Sequence, residues 1–159
     1  ILHFTPEEMA IQEAGWLAWS NANIAPAFEG MDRLLRRFKE QGGLVCVVSH
    51  SNSVTIRRDY KHHFGFEPDL IFGWELGTDK RKPAPWPLEQ IMARFDLAPG
   101  QLLMVDDLKP GWQMAKTCGV PFAFAGWGCE VEGVRSFMKQ NADYYLQKVQ
   151  ELETIVLGS

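Results

Sequence analysis

Short apolar runs alternate along the chain with longer segments that have helical periodicity. Five runs are apolar and bounded by glycine, proline or polar clusters, which is typical of strands buried on both faces. They cover residues 44–48, 70–73, 102–105, 121–126 and 144–146. Helices are predicted between them over 53–63, 88–95, 110–117 and 131–139, with a last helix to about residue 155. Because this alternation has the lengths that parallel crossovers require, it predicts an α/β fold with a doubly wound parallel sheet.

Two further helices are predicted before the first strand. Thr5-Pro6-Glu7-Glu8 forms a capping box with proline at the first helical position, and the helix is expected to run to about Asn21. Trp16 and Trp19 on this helix would face either a substrate or the core. The second helix is expected over 27–41, with apolar residues on one face, basic residues on the other and a glycine pair at its end.

Composition and charge narrow the class of protein. The chain has 159 residues, 46% hydrophobic and 23% charged, which predicts one globular domain. A net charge of -4 and a pI of about 5.6 provide no basic field for nucleic acid, so small-molecule chemistry is favoured. Three dispersed cysteines predict neither disulfides nor a zinc site and favour a reducing cytoplasm. No apolar stretch approaches the roughly 20 residues of a membrane helix, so a soluble protein without a membrane partner is expected.

Candidate chemistry lies directly after the apolar runs. In open α/β sheets, ligands bind beyond the carboxyl ends of the strands. Ser49 and His50 follow the first run, Lys82 lies in the loop after the second, and Asp106 and Asp107 follow the third. Hydroxyl and backbone donors, one cation and two anions on one sheet edge suit a phosphate held beside a divalent metal.

Each of these residues also has an ordinary structural interpretation. Ser49 can be a turn serine, Lys82 part of a solvated basic loop, and Asp107 a helix cap beside a solvated Asp106. The two adjacent carboxylates would repel each other in a partly dry cleft unless a cation neutralised them, and Mg²⁺ is the usual hard cation for oxygen ligands. The acidic pair therefore favours a metal site.

The order of the three motifs resembles the haloacid dehalogenase-like hydrolase superfamily, in particular its phosphatases and phosphomutases with an early helical cap. The second motif of that family, an apolar strand ending in Ser or Thr, is matched by "LVCVVSHS" with Ser49. The third, a lysine often followed by Pro-x-Pro, is matched by "KPAPWPL" with Lys82. The fourth, an apolar strand ending in an acidic pair, is matched by "LLMVDDLKPG" with Asp106 and Asp107. The resemblance spans about residues 25–155.

The resemblance implies a role for each matched residue. Ser49 would donate a hydrogen bond to the transferred phosphoryl group. By its position directly after Ser49, and not by the resemblance, His50 is expected either to line the site or to stabilise the loop. Lys82 would neutralise charge between nucleophile and phosphate. Asp107 would be a Mg²⁺ ligand and Asp106 a second, direct or water-mediated one. The implied activity is Mg²⁺-dependent hydrolysis of a small phosphorylated metabolite through an aspartyl-phosphate intermediate.

Two departures from the family pattern stand out. Position 111 is glycine where some relatives carry a further aspartate, which leaves more of the metal ligation to the acidic pair. The first motif, Asp-x-Asp-x-Thr or Val, whose first aspartate is the nucleophile, does not occur in the chain. Residues 1–23 are interpreted as the last part of the cap and 24–159 as the core without its first strand, so several tens of upstream residues are expected. Since that strand is central, a gap should separate the strands that end at Ser49 and Asp107.

Three alternatives remain open from the sequence. A true haloacid dehalogenase has a similar fold and no metal, but would leave the two carboxylates without a cation. A phospho-acceptor receiver domain uses similar residues in the opposite order. A non-catalytic relative that keeps the scaffold as a binding module is favoured if the 159 residues are complete.

Overall fold

In a computed structural model, residues 4–158 form five short parallel strands and seven α-helices, which alternate after the first two helices. The structure describes residues 4–158, the side chain of Asn21 excepted. The helices are α1 Pro6–Ala22, α2 Met31–Glu40, α3 Ser53–Phe64, α4 Trp86–Phe95, α5 Lys109–Cys118, α6 Glu132–Asn141 and α7 Val149–Leu157. The strands are β1 Cys46–Val48, β2 Leu70–Phe72, β3 Met104–Asp106, β4 Phe122–Ala125 and β5 Tyr144–Leu146. The predicted α/β class is confirmed.

The strands form two separate parallel sheets. β1 pairs with β2, and β3, β4 and β5 form the second sheet in that order. β1 and β3 are not paired with each other within residues 4–158. An interruption between these two strands was predicted from the sequence, and each of them keeps one edge without a strand partner among the described residues.

Helices cover both faces of the larger sheet, as expected for a doubly wound fold. On β4, the fully buried Phe122 and Phe124 point into one core cluster and Ala123 points into the other. The first cluster is covered by α4, α5 and α6, and the second by α2 and α7. The carboxyl end of β3 is thus held on a sheet that is packed from both sides.

The observed bounds differ from the predicted ones by a few residues. The strands are shorter than most of the apolar runs because hydrogen-bonded pairing ends before the apolar residues do. Asp106 is an exception, since it belongs to β3 and stands in register with Phe124. The second helix begins at Met31 rather than at residue 27, because Gly30 has a φ of 83°, a left-handed conformation that no α-helix contains.

The first helix begins as predicted but packs little. Thr5 and Glu8 form the capping box, with Thr5 Oγ1 accepting from the Glu8 N–H at 3.2 Å and Glu8 Oε2 accepting from the Thr5 N–H at 2.8 Å. Most side chains of α1 are exposed. The predicted cap segment 1–23 and core segment 24–159 include residues 1–3 and 159, which lie outside the described residues. No helix of residues 4–158 has the length and apolar character needed to cross a bilayer.

Candidate active site

The loop after β1 presents Ser49 and His50 at the carboxyl end of the smaller sheet. The Ser49 N–H donates to Phe72 O at 2.9 Å and so continues the pairing of β1 with β2 by one residue. Ser49 Oγ accepts the Ser51 N–H at 3.0 Å, which forms a tight turn. Asn52 then caps α3 by accepting the Val54 N–H at 3.0 Å. These bonds hold the Ser49 hydroxyl at the strand end while its own proton remains available to donate.

The loop between β2 and α4 carries Lys82 and is tied to the Ser49 loop. His50 Nε2 lies 3.3 Å from Lys82 O, so the loops that follow β1 and β2 meet at this point. Lys82 is followed by a cis peptide bond to Pro83, and Ala84 N–H donates to Arg81 O at 2.8 Å. This turn leads into α4, whose first residue is Trp86. The side chain of Lys82 is 13% exposed.

The centre of the site is an ion pair between Lys82 and the first carboxylate of the acidic pair. Lys82 Nζ donates to Asp106 Oδ2, and the Asp106 side chain is only 6% exposed. Asp106 Oδ1 also accepts the Leu108 N–H at 3.1 Å, one residue before α5 begins. Asp106 is therefore a buried carboxylate with one bond to each oxygen, and not the solvated residue of the ordinary structural interpretation.

The second carboxylate, Asp107, is only partly buried. Burial away from water raises the pKa of Asp107 above its usual range, and the adjacent Asp106 carboxylate raises it further. The positive charge of Lys82 acts in the opposite direction but does not cancel these effects. Asp107 thus ionises less readily than an exposed aspartate.

Two glycines make room for the acidic pair. A Cβ at Gly111 would lie 2.5 Å from Asp106 Cγ and 2.6 Å from Asp106 Cβ, so the first turn of α5 accepts Asp106 only because position 111 has no side chain. A Cβ at Gly128 would lie 3.3 Å from Asp107 Cβ and Oδ2. In this arrangement the glycine at 111 is required by packing, which gives a physical reason for the absence of an aspartate there.

A family model identified as "haloacid dehalogenase-like hydrolase" matches residues 10–119. This match covers more than half of the chain and all three sequence motifs. The chain belongs to the haloacid dehalogenase-like hydrolase family. No match was found among curated proteins.

Solved structures of this hydrolase family share the fold at low sequence identity. A predicted phosphoglycolate phosphatase from Haemophilus somnus matches with a TM-score of 0.80 and 18% identity, over 96% of this chain and 68% of that one. CbbY from Rhodobacter sphaeroides, crystallised as a mutant with xylulose-(1,5)bisphosphate, matches with a TM-score of 0.75 and 18% identity, over 94% and 68%. A family hydrolase from Streptococcus pneumoniae matches with a TM-score of 0.74 and 16% identity, over 96% and 71%. This chain spans only 54% of the length of a phosphoglycolate phosphatase-like structure from Lactobacillus delbrueckii.

The acidic pair of this hydrolase has the chemistry that Mg²⁺ requires, although it is an incomplete ligand set. Mg²⁺ is commonly held by one or two carboxylates together with waters and phosphate oxygens. The raised pKa of Asp107 reflects a partly desolvated carboxylate beside a second one, and a cation would offset both effects. Residues 4–158 contain no cluster of three or more His, Cys, Asp or Glu side chains placed for a metal. The residues present therefore fit Mg²⁺ if further ligands come from water, phosphate or another part of the protein.

The structure brings some predicted site residues together directly and others through the backbone. Lys82, Asp106 and Asp107 form one cluster, and His50 joins it through the Lys82 carbonyl. The hydroxyl of Ser49 is bonded within its own loop.

Sequence reasoning missed a tryptophan at the same sheet edge. Trp74 follows β2 after one glycine and donates its indole N–H to Glu13 Oε1 of α1 at 2.9 Å. The Arg81 guanidinium lies 3.5 Å from the centre of the Trp74 ring. The position of Trp74 just after a strand could have identified it from the sequence. No sequence feature near Glu13 or Arg81 indicates that either residue contacts Trp74.

Proposed function

We propose that this hydrolase is a Mg²⁺-dependent phosphatase that transfers a phosphoryl group to an aspartate nucleophile and then to water. The observation that carries the proposal is the buried Lys82–Asp106 ion pair beside Asp107, at the carboxyl end of β3 and within reach of the loop after β1. A cation, an anion pair and a hydroxyl at one edge suit a phosphoryl group better than an uncharged substrate.

Ser49, Lys82 and His50 would bind and orient the phosphoryl group. The Ser49 hydroxyl accepts from the Ser51 N–H and can donate its own proton to a phosphoryl oxygen. The Lys82 ammonium uses one N–H toward Asp106 and keeps others for the phosphate or the nucleophile. His50 holds the backbone of Lys82 and lines the same loop.

The nucleophile would be the aspartate of an Asp-x-Asp strand that precedes these 159 residues in the natural protein. Its carboxylate oxygen would attack phosphorus, the ester P–O bond would break, and the leaving alkoxide would take a proton from water to leave as the alcohol. Water would then hydrolyse the acyl phosphate to inorganic phosphate and restore the carboxylate. Such a strand would pair with the edges of β1 and β3 that have no strand partner within residues 4–158, which supports its placement between them.

Asp107 and Asp106 would hold Mg²⁺ at this edge. When bound, the ion would supply positive charge to the phosphoryl oxygens and relieve the unfavourable charge of Asp107. Asp106 would keep its bond to Lys82 and contribute through its remaining lone pairs or through water.

The test is a phosphatase assay on the natural full-length protein with and without EDTA. We expect release of inorganic phosphate from phosphomonoesters that stops with EDTA and returns with added Mg²⁺. Hydrolysis that ignores EDTA would contradict the proposal, and halide release from a short 2-haloacid would favour the metal-free dehalogenase.

A binding module is the second candidate, because the chain itself contains no Asp-x-Asp motif. Full-length protein that binds Mg²⁺ and inorganic phosphate but turns over no phosphomonoester would favour it. Intact mass of the natural protein separates a longer chain from a complete one of 159 residues.

A further inference from the structure

The side chain of Trp74 connects the two loops of the proposed phosphoryl site with helix α1. The Trp74 ring packs edge-to-face with His50, and the ring centres lie 6.2 Å apart. The Arg81 guanidinium lies 3.5 Å from the centre of the same ring. The indole N–H donates to Glu13 Oε1 of α1 at 2.9 Å. One indole therefore contacts the loop after β1, the loop after β2 and the predicted cap segment.

Arg81 holds the turn that carries Lys82. Its Nε–H donates to Gly77 O at 3.1 Å, and its carbonyl oxygen accepts the Ala84 N–H at 2.8 Å. Arg81 thus binds both ends of the loop 77–84, and Lys82 is the next residue along the chain. A displacement of Arg81 would therefore move the backbone from which the Lys82 side chain extends.

The face of the Trp74 ring stabilises the guanidinium of Arg81. The Nη1 atom of Arg81 is buried and has no hydrogen-bond partner among residues 4–158. Attraction between a guanidinium and an indole face becomes stronger when the cation is withdrawn from water. The ring face therefore offsets part of the cost of that buried nitrogen and fixes the place of the Arg81 side chain.

We infer that Trp74 is a positioning residue for Lys82: its ring face holds Arg81, and its own orientation is fixed by the hydrogen bond to Glu13. This inference rests on the proposed function, in which Lys82 is the cation that faces the phosphoryl group. Displacing that ammonium by a fraction of an ångström would weaken stabilisation of the transition state more than binding of the substrate. Loss of the Trp74 contacts should therefore lower kcat and change KM little.

The experiment measures hydrolysis of p-nitrophenyl phosphate by the natural full-length protein with Mg²⁺ present. Trp74→Leu removes the ring face, and we expect kcat to fall at least about tenfold while KM stays within about threefold. Trp74→Phe keeps an aromatic face for Arg81 but loses the N–H, so kcat should fall by only about threefold. An unchanged kcat in Trp74→Leu would overturn the inference, and so would equal impairment of the two variants.

Arg81→Met tests whether Trp74 acts through Arg81. This variant should lower kcat as Trp74→Leu does, and the double variant should lie within about threefold of either single variant, because both substitutions remove the same contact. Independent structural damage at the two sites would instead multiply to about a hundredfold, which would overturn the inference. A rise in KM of about tenfold at unchanged kcat in Arg81→Met would assign Arg81 to substrate binding and would overturn it as well.

Glu13→Ala tests the link to α1, and Glu7→Ala is its matched control. Both glutamates are exposed on α1, and each substitution removes one negative charge from that helix. Glu13→Ala deletes the same hydrogen bond as Trp74→Phe, so it should lower kcat by a similar factor of about three, whereas Glu7→Ala should leave kcat unchanged. Equal values of kcat in the two glutamate variants would show that Glu13 does not orient the ring, contrary to the inference.

Hydrogen exchange of the loop 77–84, measured by mass spectrometry, separates failure of this inference from failure of the proposed function. Two amides of the loop, those of Lys80 and Ala84, are hydrogen bonded within the turn. Trp74→Leu and Arg81→Met should accelerate their exchange at least about tenfold, whether or not the protein is a phosphatase. If exchange accelerates but the wild type hydrolyses no phosphomonoester, the placement of the loop by Trp74 stands and the phosphatase proposal falls. If the wild type is a phosphatase and the variants change neither kcat nor exchange, the inference falls alone.

Discussion

Replacing Gly111 by alanine tests whether the acidic pair is rigidly placed. The added Cβ would lie 2.5 Å from Asp106 Cγ and 2.6 Å from Asp106 Cβ, well inside contact distance. Asp106 cannot move aside freely, because it is buried, bonded to Lys82 and bonded to the Leu108 N–H. Either α5 shifts away from β3 or the ion pair is disturbed.

The expected change in the free energy of unfolding combines two destabilising effects of Gly111→Ala with one stabilising effect. Overpacking a buried site costs about 1–3 kcal/mol, and disturbing a buried ion pair adds to this. The gain in helix propensity from glycine to alanine is at most about 1 kcal/mol. We therefore expect Gly111→Ala to lower the free energy of unfolding by about 1–3 kcal/mol, or about 2–4 °C in Tm for each kcal/mol.

Gly133→Ala is the matched control. Gly133 lies in the first turn of α6, and no atom lies within 4 Å of a Cβ built there. This variant should be neutral or stabilised by up to about 1 kcal/mol. Urea unfolding of both full-length variants, followed by circular dichroism, measures the difference. If Gly111→Ala unfolds at the same urea concentration as Gly133→Ala, Asp106 is not held as the structure shows.

Three further predictions concern charge and titration. Lys82→Met should destabilise the protein by roughly 3–5 kcal/mol in urea unfolding, because it leaves Asp106 buried without a counter-charge. Adding Asp106→Asn to this variant should recover most of the lost stability. If the Lys82→Met variant is as stable as the wild type, the ion pair is contradicted. Because Mg²⁺ would bind the folded state only, Mg²⁺ at 100 times its Kd should stabilise the wild type by about 2.7 kcal/mol in a thermal scan. An equal stabilisation of the Asp107→Asn variant would exclude Asp107 as a ligand. Burial, and secondarily the Asp69 carboxylate, raises the pKa of Cys46 to about 11. Only about 0.3% of Cys46 is thiolate at pH 8.5, so iodoacetamide should alkylate it slowly, at a rate that rises about tenfold per pH unit until about pH 11. Rapid alkylation of Cys46 in the folded protein at pH 8.5 would contradict the raised pKa.

The sequence by itself determined the local features of this protein. Apolar runs of three to six residues between glycine, proline and polar clusters indicated five strands, because burial on both faces leaves no room for polar side chains there. Thr5 and Glu8 indicated the first turn of α1 through bonds that involve only neighbouring residues. The order of Ser49, Lys82 and the acidic pair was sufficient to indicate the family.

Only the tertiary structure decided which of these residues meet and in what electrostatic state. Lys82 and Asp106 are 24 residues apart, and their pairing depends on how the β2–α4 loop folds over the end of β3. The close packing of Asp106 against α5 depends on the space left by Gly111, which periodicity does not report. The position of α1 likewise depends on the hydrogen bond from Trp74, just after β2, to Glu13, a contact across 61 residues. Local patterns report whether a residue is buried, whereas contacts between distant segments depend on the packing of the whole chain.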